Sequence, residues 1–88
     1  MRVVVSPRAE KQFKKLPKMK QVILAAKIRT LDDELSEGGE NLKGYKDVFR
    51  IRVGDYRVVY RKTSEEIYIV LIGHRREIYQ LVRQLWGN

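Results

Sequence analysis

The sequence predicts an α+β domain. It combines a small antiparallel-rich sheet (an N-terminal strand plus a three-strand meander) with an N-terminal helical hairpin on one face and a short C-terminal helix. Three observations carry this. Apolar residues recur at helical spacing through the first part of the chain and again in the tail. From Val48 onward the apolar period changes to two. Between two alternating runs sits Gly54-Asp55, a two-residue hairpin signal beginning with glycine. At 88 residues the chain reads as a single domain spanning residues 1–88.

The elements follow in order. Arg2 to Val5 is a β-branched run, read as a strand. Ser6-Pro7 reads as an N-cap followed by proline at the first helical position. The helix after it places Ala9, Phe13 and Leu16 at helical spacing, and Pro17 interrupts it. A longer helix is expected from about Lys18 to Leu35, with Met19, Val22, Ile23, Ala26 and Leu35 among its apolar positions, ended by Gly38-Gly39. Lys11, Lys14, Lys15, Lys18 and Lys20 line the outside of this pair. Asn41 to Lys46 reads as a loop and Lys62 to Glu65 as a turn. Ile67 to Ile72 is apolar on both faces, as a central strand is. In the tail, from about Arg76 to Trp86, Ile78, Leu81, Val82 and Leu85 fall at helical spacing.

Composition excludes several classes. There is no cysteine, so neither a disulfide framework nor a thiolate metal site exists. With one histidine, a conventional zinc site would need carboxylates almost throughout. No metal or cofactor is expected. No segment is long and apolar enough to span a bilayer, and Met1 is not followed by a secretory signal, so a cytoplasmic protein with no membrane partner is expected. A domain this short buries only roughly 60% of its unfolded surface, which disfavours a large internal pocket. The formal net charge of +8 favours a polyanionic partner.

The hairpin register sharpens that expectation. If Gly54-Asp55 is the loop, Val53 pairs with Tyr56, Arg52 with Arg57, Ile51 with Val58 and Arg50 with Val59. One face then carries Phe49, Ile51, Val53, Tyr56, Val58 and Tyr60, the core face. The other carries Arg50, Arg52, Arg57 and Arg61, with Val59 among them and no carboxylate. Like charges directly opposite are destabilising. A bound phosphate would offset that cost, and the planar donor fork of arginine matches its oxygens. His74 is the one residue here with an unperturbed pKa near neutrality. Tyr79 falls beside the apolar stripe of the tail helix, partly exposed, where it could stack on a nucleobase.

These residues resemble a known family. Leu42-Lys43-Gly44, then Phe49-Arg50-Ile51-Arg52-Val53-Gly54-Asp55-Tyr56-Arg57-Val58-Val59-Tyr60, then His74-Arg75-Arg76-Glu77-Ile78-Tyr79, are similar to the RelE toxins of the RelE/ParE superfamily. The likeness covers nearly the whole chain, although its helical hairpin is generic. It implies the toxin of a type II toxin–antitoxin system, a metal-independent endoribonuclease acting on messenger RNA in the ribosomal A site. The ribose 2′-OH would attack the adjacent phosphate. The family's functional positions fall on Arg50 and Arg52 before the turn, Arg57 after it, Arg75 after the last strand, and Tyr79 as the base-stacking ring. His74 is added from its chemistry as acid or base, because arginine stays protonated and is a poor base. Lys43, Lys46, Arg61 and Arg76 complete the expected RNA-binding surface.

The expected partners are the ribosome with its A-site mRNA and an acidic antitoxin that wraps the sheet and helices and displaces the tail helix. Operator DNA would be met only through the antitoxin complex. Two alternatives share the scaffold: a ParE-like inhibitor of DNA gyrase, and a non-catalytic module that binds antitoxin and operator.

Overall fold

A computed structural model describes residues 2–32 and 39–87. It contains β1 (Arg2–Val5), α1 (Pro7–Lys14), α2 (Lys18–Arg29) with a 3-10 turn at Thr30–Asp32, β2 (Glu40–Asn41), β3 (Val48–Val53), β4 (Tyr56–Lys62), β5 (Glu66–His74) and α3 (Ile78–Trp86). The strands form one mixed sheet in the order β1-β5-β4-β3-β2, with β1 parallel to β5 and the other pairs antiparallel. The helical hairpin covers one face. The tail helix α3 covers part of the other.

Ser6 joins β1 to α1. Its hydroxyl accepts from the Ala9 N–H at 3.0 Å, capping α1, and donates to the Val70 carbonyl at 3.0 Å. Pro7 opens the helix because a first-turn residue needs no N–H. Where β1 stops, Gln12 continues the ladder: its Oε1 accepts from the Ile72 N–H at 2.8 Å. Pro17 separates the two helices, and Gln21 Nε2 ties them by donating to the Leu16 and Lys14 carbonyls at 2.9 and 3.3 Å.

In α2 the packed residues are Leu24, Ala25 and Ile28, followed by Leu31. Met19, Val22, Ile23 and Ala26, the positions singled out from spacing, face solvent instead. Helical periodicity permits either set, because α2 is apolar on two arcs. The sheet takes the arc of Leu24 and Ile28, which join the cluster containing Ile51, Val58 and Ile69. The helix ends at Arg29, where Thr30 Oγ1 donates to the Lys27 carbonyl at 2.7 Å. Leu35 and Gly38 lie outside the described residues.

The hairpin has the expected register throughout, with Arg52 opposite Arg57 and Arg50 opposite Val59. Gly54 turns the chain at φ +61°, the conformation that a two-residue loop beginning with glycine requires. The expected loop from Asn41 is shortened by β2, in which Glu40 pairs with Arg50 and Asn41 with Phe49. Two polar residues carry no alternation. They are a strand because β3 offers them an open edge, and Asn41 Nδ2 fixes them by donating to the Val48 carbonyl at 2.9 Å.

The β4–β5 pairing contains a bulge. Val59 pairs with Leu71 and Tyr60 with Ile69, so Val70 is the extra residue. Its carbonyl is the one that the Ser6 hydroxyl satisfies. Past the bulge the side chains of β5 exchange faces: Ile72 and His74 point to the hairpin side, where Ile67 and Ile69 already lie.

Two apolar clusters result. The hairpin side buries Ala9, Leu24, Ile51, Val58, Tyr60, Ile67, Ile69 and Ile72. The opposite side buries Val48, Val59, Val70, Leu71, Ile78 and Val82, with Leu42, Tyr45 and Trp86 at its rim. Full burial of Ile78 alone is worth roughly 1.5–3 kcal/mol. α3 starts at Ile78 rather than Arg76, because Arg76 and Glu77 turn back onto His74. Leu85 remains exposed.

Candidate nucleic-acid interface

The tail helix crosses the arginine face and divides it. It seats on Val48, Val59 and Leu71, the apolar patch left between the arginines. Gly73 permits the approach: a β-carbon there would stand 3.3 Å from Ile78 Cδ1. With Ile78 and Val82 buried, helical geometry turns Tyr79 and Arg83 toward β3 and the loop at Leu42–Tyr45.

Tyr79 is 37% exposed, and the Arg50 guanidinium lies 5.8 Å from its ring centroid. Such a contact is worth roughly 0.5–1 kcal/mol at an exposed site. Arg50 also donates to Glu40 Oε2 at 2.8 Å, and its side chain is only 13% exposed. The face expected to lack a carboxylate therefore receives one from β2. Gly39 holds that strand in place. A β-carbon on Gly39 would collide with the Arg50 carbonyl and stand 2.8 Å from the Tyr60 hydroxyl. The Gly39 N–H donates to that hydroxyl at 2.9 Å. Burial pushes the Tyr60 phenol above its ordinary pKa, and this hydrogen bond pulls it partly back, so it is protonated at neutral pH.

Arg52, Arg57 and Arg75 gather at the hairpin end. Arg57 Nη1 donates to the Gly54 and Tyr56 carbonyls at 3.0 and 2.9 Å, which folds the side chain against the turn. Its Nε is buried and has no partner among the described residues. Arg52 is exposed directly across from it. The Arg75 N–H donates to the Asp55 carbonyl at 2.7 Å, and its Nε lies 3.8 Å from Asp55 Oδ1. Asp55 is a single carboxylate beside three guanidiniums, so this end of the face attracts anions.

The other expected residues distribute unevenly. Lys43 lines a groove of about 600 Å³ together with Arg50, Tyr79, Tyr45, Glu40 and Arg83. Arg61 shares the face but sits beyond α3, paired with Val48 and Tyr68, with Lys46 exposed in the turn before that end of β3. Arg76 is exposed in the turn before α3. His74 is not with them. It pairs with Tyr56, against whose ring it packs edge-on at 5.7 Å, and its Nδ1 accepts from the Arg76 N–H at 3.2 Å. That is the hairpin face. Sequence reasoning missed Glu40, Tyr45 and Arg83. Of these only Arg83 left a trace, four residues after Tyr79 and so on the same helical face.

A strand, a helical hairpin and an antiparallel meander are the architecture of the RelE/ParE superfamily of toxins. The family model described as the ParE toxin of the type II toxin–antitoxin system parDE matches residues 3–79. The chain belongs to this family. Comparison with curated protein sequences gives no match. Among solved structures it is similar to the isolated RelE toxin of E. coli, at 25% identity over 96% of this chain and 97% of that one, with a TM-score of 0.70. The archaeal RelE–RelB complex from Pyrococcus horikoshii OT3 shows 28% identity over 84% of this chain and 93% of that one, TM-score 0.70. For the RelBE2 toxin–antitoxin complex of Mycobacterium tuberculosis the values are 29%, 84% and 96%, TM-score 0.63.

Proposed function

We propose that this toxin is a ribosome-dependent endoribonuclease that cuts mRNA in the A site. The supporting observation is that Arg52 and Arg57 lie opposite each other on the face that holds the Arg50–Tyr79 contact, with Arg75 tied to the same hairpin turn through Asp55. One ring face of Tyr79 carries Arg50, leaving the other for a nucleobase. With the base held there, the ribose 2′-oxygen attacks the adjacent phosphorus and the bond to the 5′-oxygen breaks. The products are a 2′,3′-cyclic phosphate and a 5′-hydroxyl. Negative charge grows on the phosphoryl oxygens, where Arg57 and Arg52 donate, with Arg75 assisting. Arg50 orients Tyr79. Lys43, Lys46, Arg61 and Arg76 neutralise the flanking strand.

The guanidiniums stay protonated and take no proton from the 2′-hydroxyl. His74 is the other candidate for that step. From the hairpin face it has no direct line to a phosphate between Arg52 and Arg57, so proton transfer is assigned to groups of the ribosome. An acidic antitoxin is the proposed partner, as RelB is of RelE in the complexes named above, with operator DNA bound through it in the cytoplasm.

A second reading is inhibition of DNA gyrase. The ParE family model favours it. The arginine face with its stacked tyrosine favours the first. The two are separated by running the purified toxin in a reconstituted translation reaction and in a gyrase supercoiling assay. New 5′-hydroxyl ends within A-site codons are expected. Loss of supercoiling with intact mRNA would replace the first reading with the second.

A further inference from the structure

Tyr60 is a core residue of the hairpin side, buried and stacked on Phe49 with ring centroids 5.7 Å apart. Arg50 and Tyr79 lie on the other side of the sheet. The Tyr60 side chain spans β3 to reach the sheet edge, where its hydroxyl accepts from the Gly39 N–H at 2.9 Å. A buried tyrosine hydroxyl needs a partner for its own sake. This partner is the residue that opens β2. Gly39 also lies against the Arg50 carbonyl, so closely that no β-carbon fits there.

β2 has two residues, and so short a ladder does not hold itself. Its far end is tied by Asn41 Nδ2 and the Leu42 N–H, which donate to the Val48 carbonyl at 2.9 and 2.8 Å. Glu40 stands at the near end, where the tie beyond the ladder is the one from Gly39 to Tyr60, among the described residues. The Glu40 side chain is 75% exposed. An exposed ion pair gains little more than the entropy it costs to hold its side chains. The 2.8 Å contact of Glu40 with Arg50 therefore depends on a backbone that already points the carboxylate at the guanidinium. Arg50 in turn lies 5.8 Å from the Tyr79 ring centroid. The contacts run unbroken from the core to that ring.

We propose that Tyr60 is a positioning residue for the RNA site. Its hydroxyl holds Gly39, Gly39 sets Glu40, and Glu40 fixes Arg50 against Tyr79. The proposal rests on the reading of this face as the RNA site and adds a residue that touches no RNA, on the opposite side of the sheet. Coupling along such a chain is established by a double-mutant cycle, not by adjacency.

The test is Tyr60→Phe, which removes one oxygen and keeps the ring on Phe49, run beside Glu40→Gln and the double variant. In NMR spectra of the free toxin, the Arg50 Hδ signals are displaced by the Tyr79 ring current. They should lose that displacement in Tyr60→Phe and in Glu40→Gln alike. The log–log salt slope for single-stranded RNA should steepen by about 0.7 in each, as the released Arg50 takes up one more phosphate. Adding Tyr60→Phe to Glu40→Gln should change the slope no further, because both act on one link. In A-site cleavage kcat should fall about two- to fivefold, the equivalent of the lost cation–π contact, with no rise in KM. Ile51→Val, a core change that leaves the hydroxyl in place, should lower stability and move none of these readouts. Unchanged Arg50 signals in Tyr60→Phe, additive slopes in the double variant, or the same changes in Ile51→Val would each overturn the proposal. If wild type cuts no mRNA, the endoribonuclease reading has failed, and the Arg50 signals and binding slopes still decide this one.

Discussion

Ser6→Ala removes one hydroxyl that serves two buried partners. The Ala9 N–H loses its cap, which costs about 1 kcal/mol. The Val70 carbonyl, at the bulge, loses its donor in a buried site, which costs about 1–3 kcal/mol. Both contacts share one oxygen, so they do not simply add. A combined loss of about 2–3 kcal/mol is expected. That is a large share of the stability of an 88-residue domain, since roughly 0.05–0.15 kcal/mol per residue is typical. It corresponds to about 10–20 °C in melting temperature. Urea unfolding of wild type, Ser6→Ala and Ser6→Thr would measure it, because threonine keeps the hydroxyl. The bulge also decides which face His74 occupies. The nuclear Overhauser effect between the Tyr56 and His74 rings should therefore weaken in Ser6→Ala before global unfolding. A loss below about 0.5 kcal/mol, less than the cap alone contributes, would refute the reasoning.

Three further outcomes follow from the same geometry. Tyr79→Ala should lower kcat/KM for A-site cleavage about 5- to 150-fold, the equivalent of about 1–3 kcal/mol of base stacking, while Tyr79→Phe stays close to wild type. Glu40→Gln removes the carboxylate that neutralises Arg50, so single-stranded RNA should bind more tightly, with a log–log salt slope steeper by about 0.7 if Arg50 takes up one more phosphate. An unchanged slope in filter-binding titrations would place Arg50 outside the interface. His74→Ala should leave cleavage within about threefold of wild type in single-turnover reactions, since a general base is worth about a hundredfold or more.

How far the sequence reached depended on the signal each element carried. The β3–β4 hairpin was legible to the residue, because Gly54-Asp55 fixes the loop and strict alternation fixes the faces. The Ser6-Pro7 helix start was legible because both residues act locally. β2 was not, since Glu40 and Asn41 are a strand only by virtue of the edge of β3. The packed face of α2 was not, because Met19–Val22–Ile23–Ala26 and Leu24–Ile28 are equally periodic and only the sheet chooses between them. His74 is the instructive case. Strict alternation from Ile67 would put it on the arginine face. The extra residue Val70, which nothing in the local sequence announces, moves it to the other. The place of the tail helix was hidden in the same way. Its stripe shows that one side is buried, but only the structure shows that this side seats on Val48, Val59 and Leu71.

The central claim is that Arg57 and its neighbours act on mRNA held in the ribosome. The most direct measurement is primer extension on a reporter mRNA in a purified translation system, with and without ribosomes, for wild type and Arg57→Ala. Wild-type cuts inside A-site codons are expected only when ribosomes are present, reduced by a hundredfold or more (on the order of 3 kcal/mol of transition-state stabilisation) in Arg57→Ala. Undiminished cutting by Arg57→Ala, or no cutting by wild type in either condition, would contradict it.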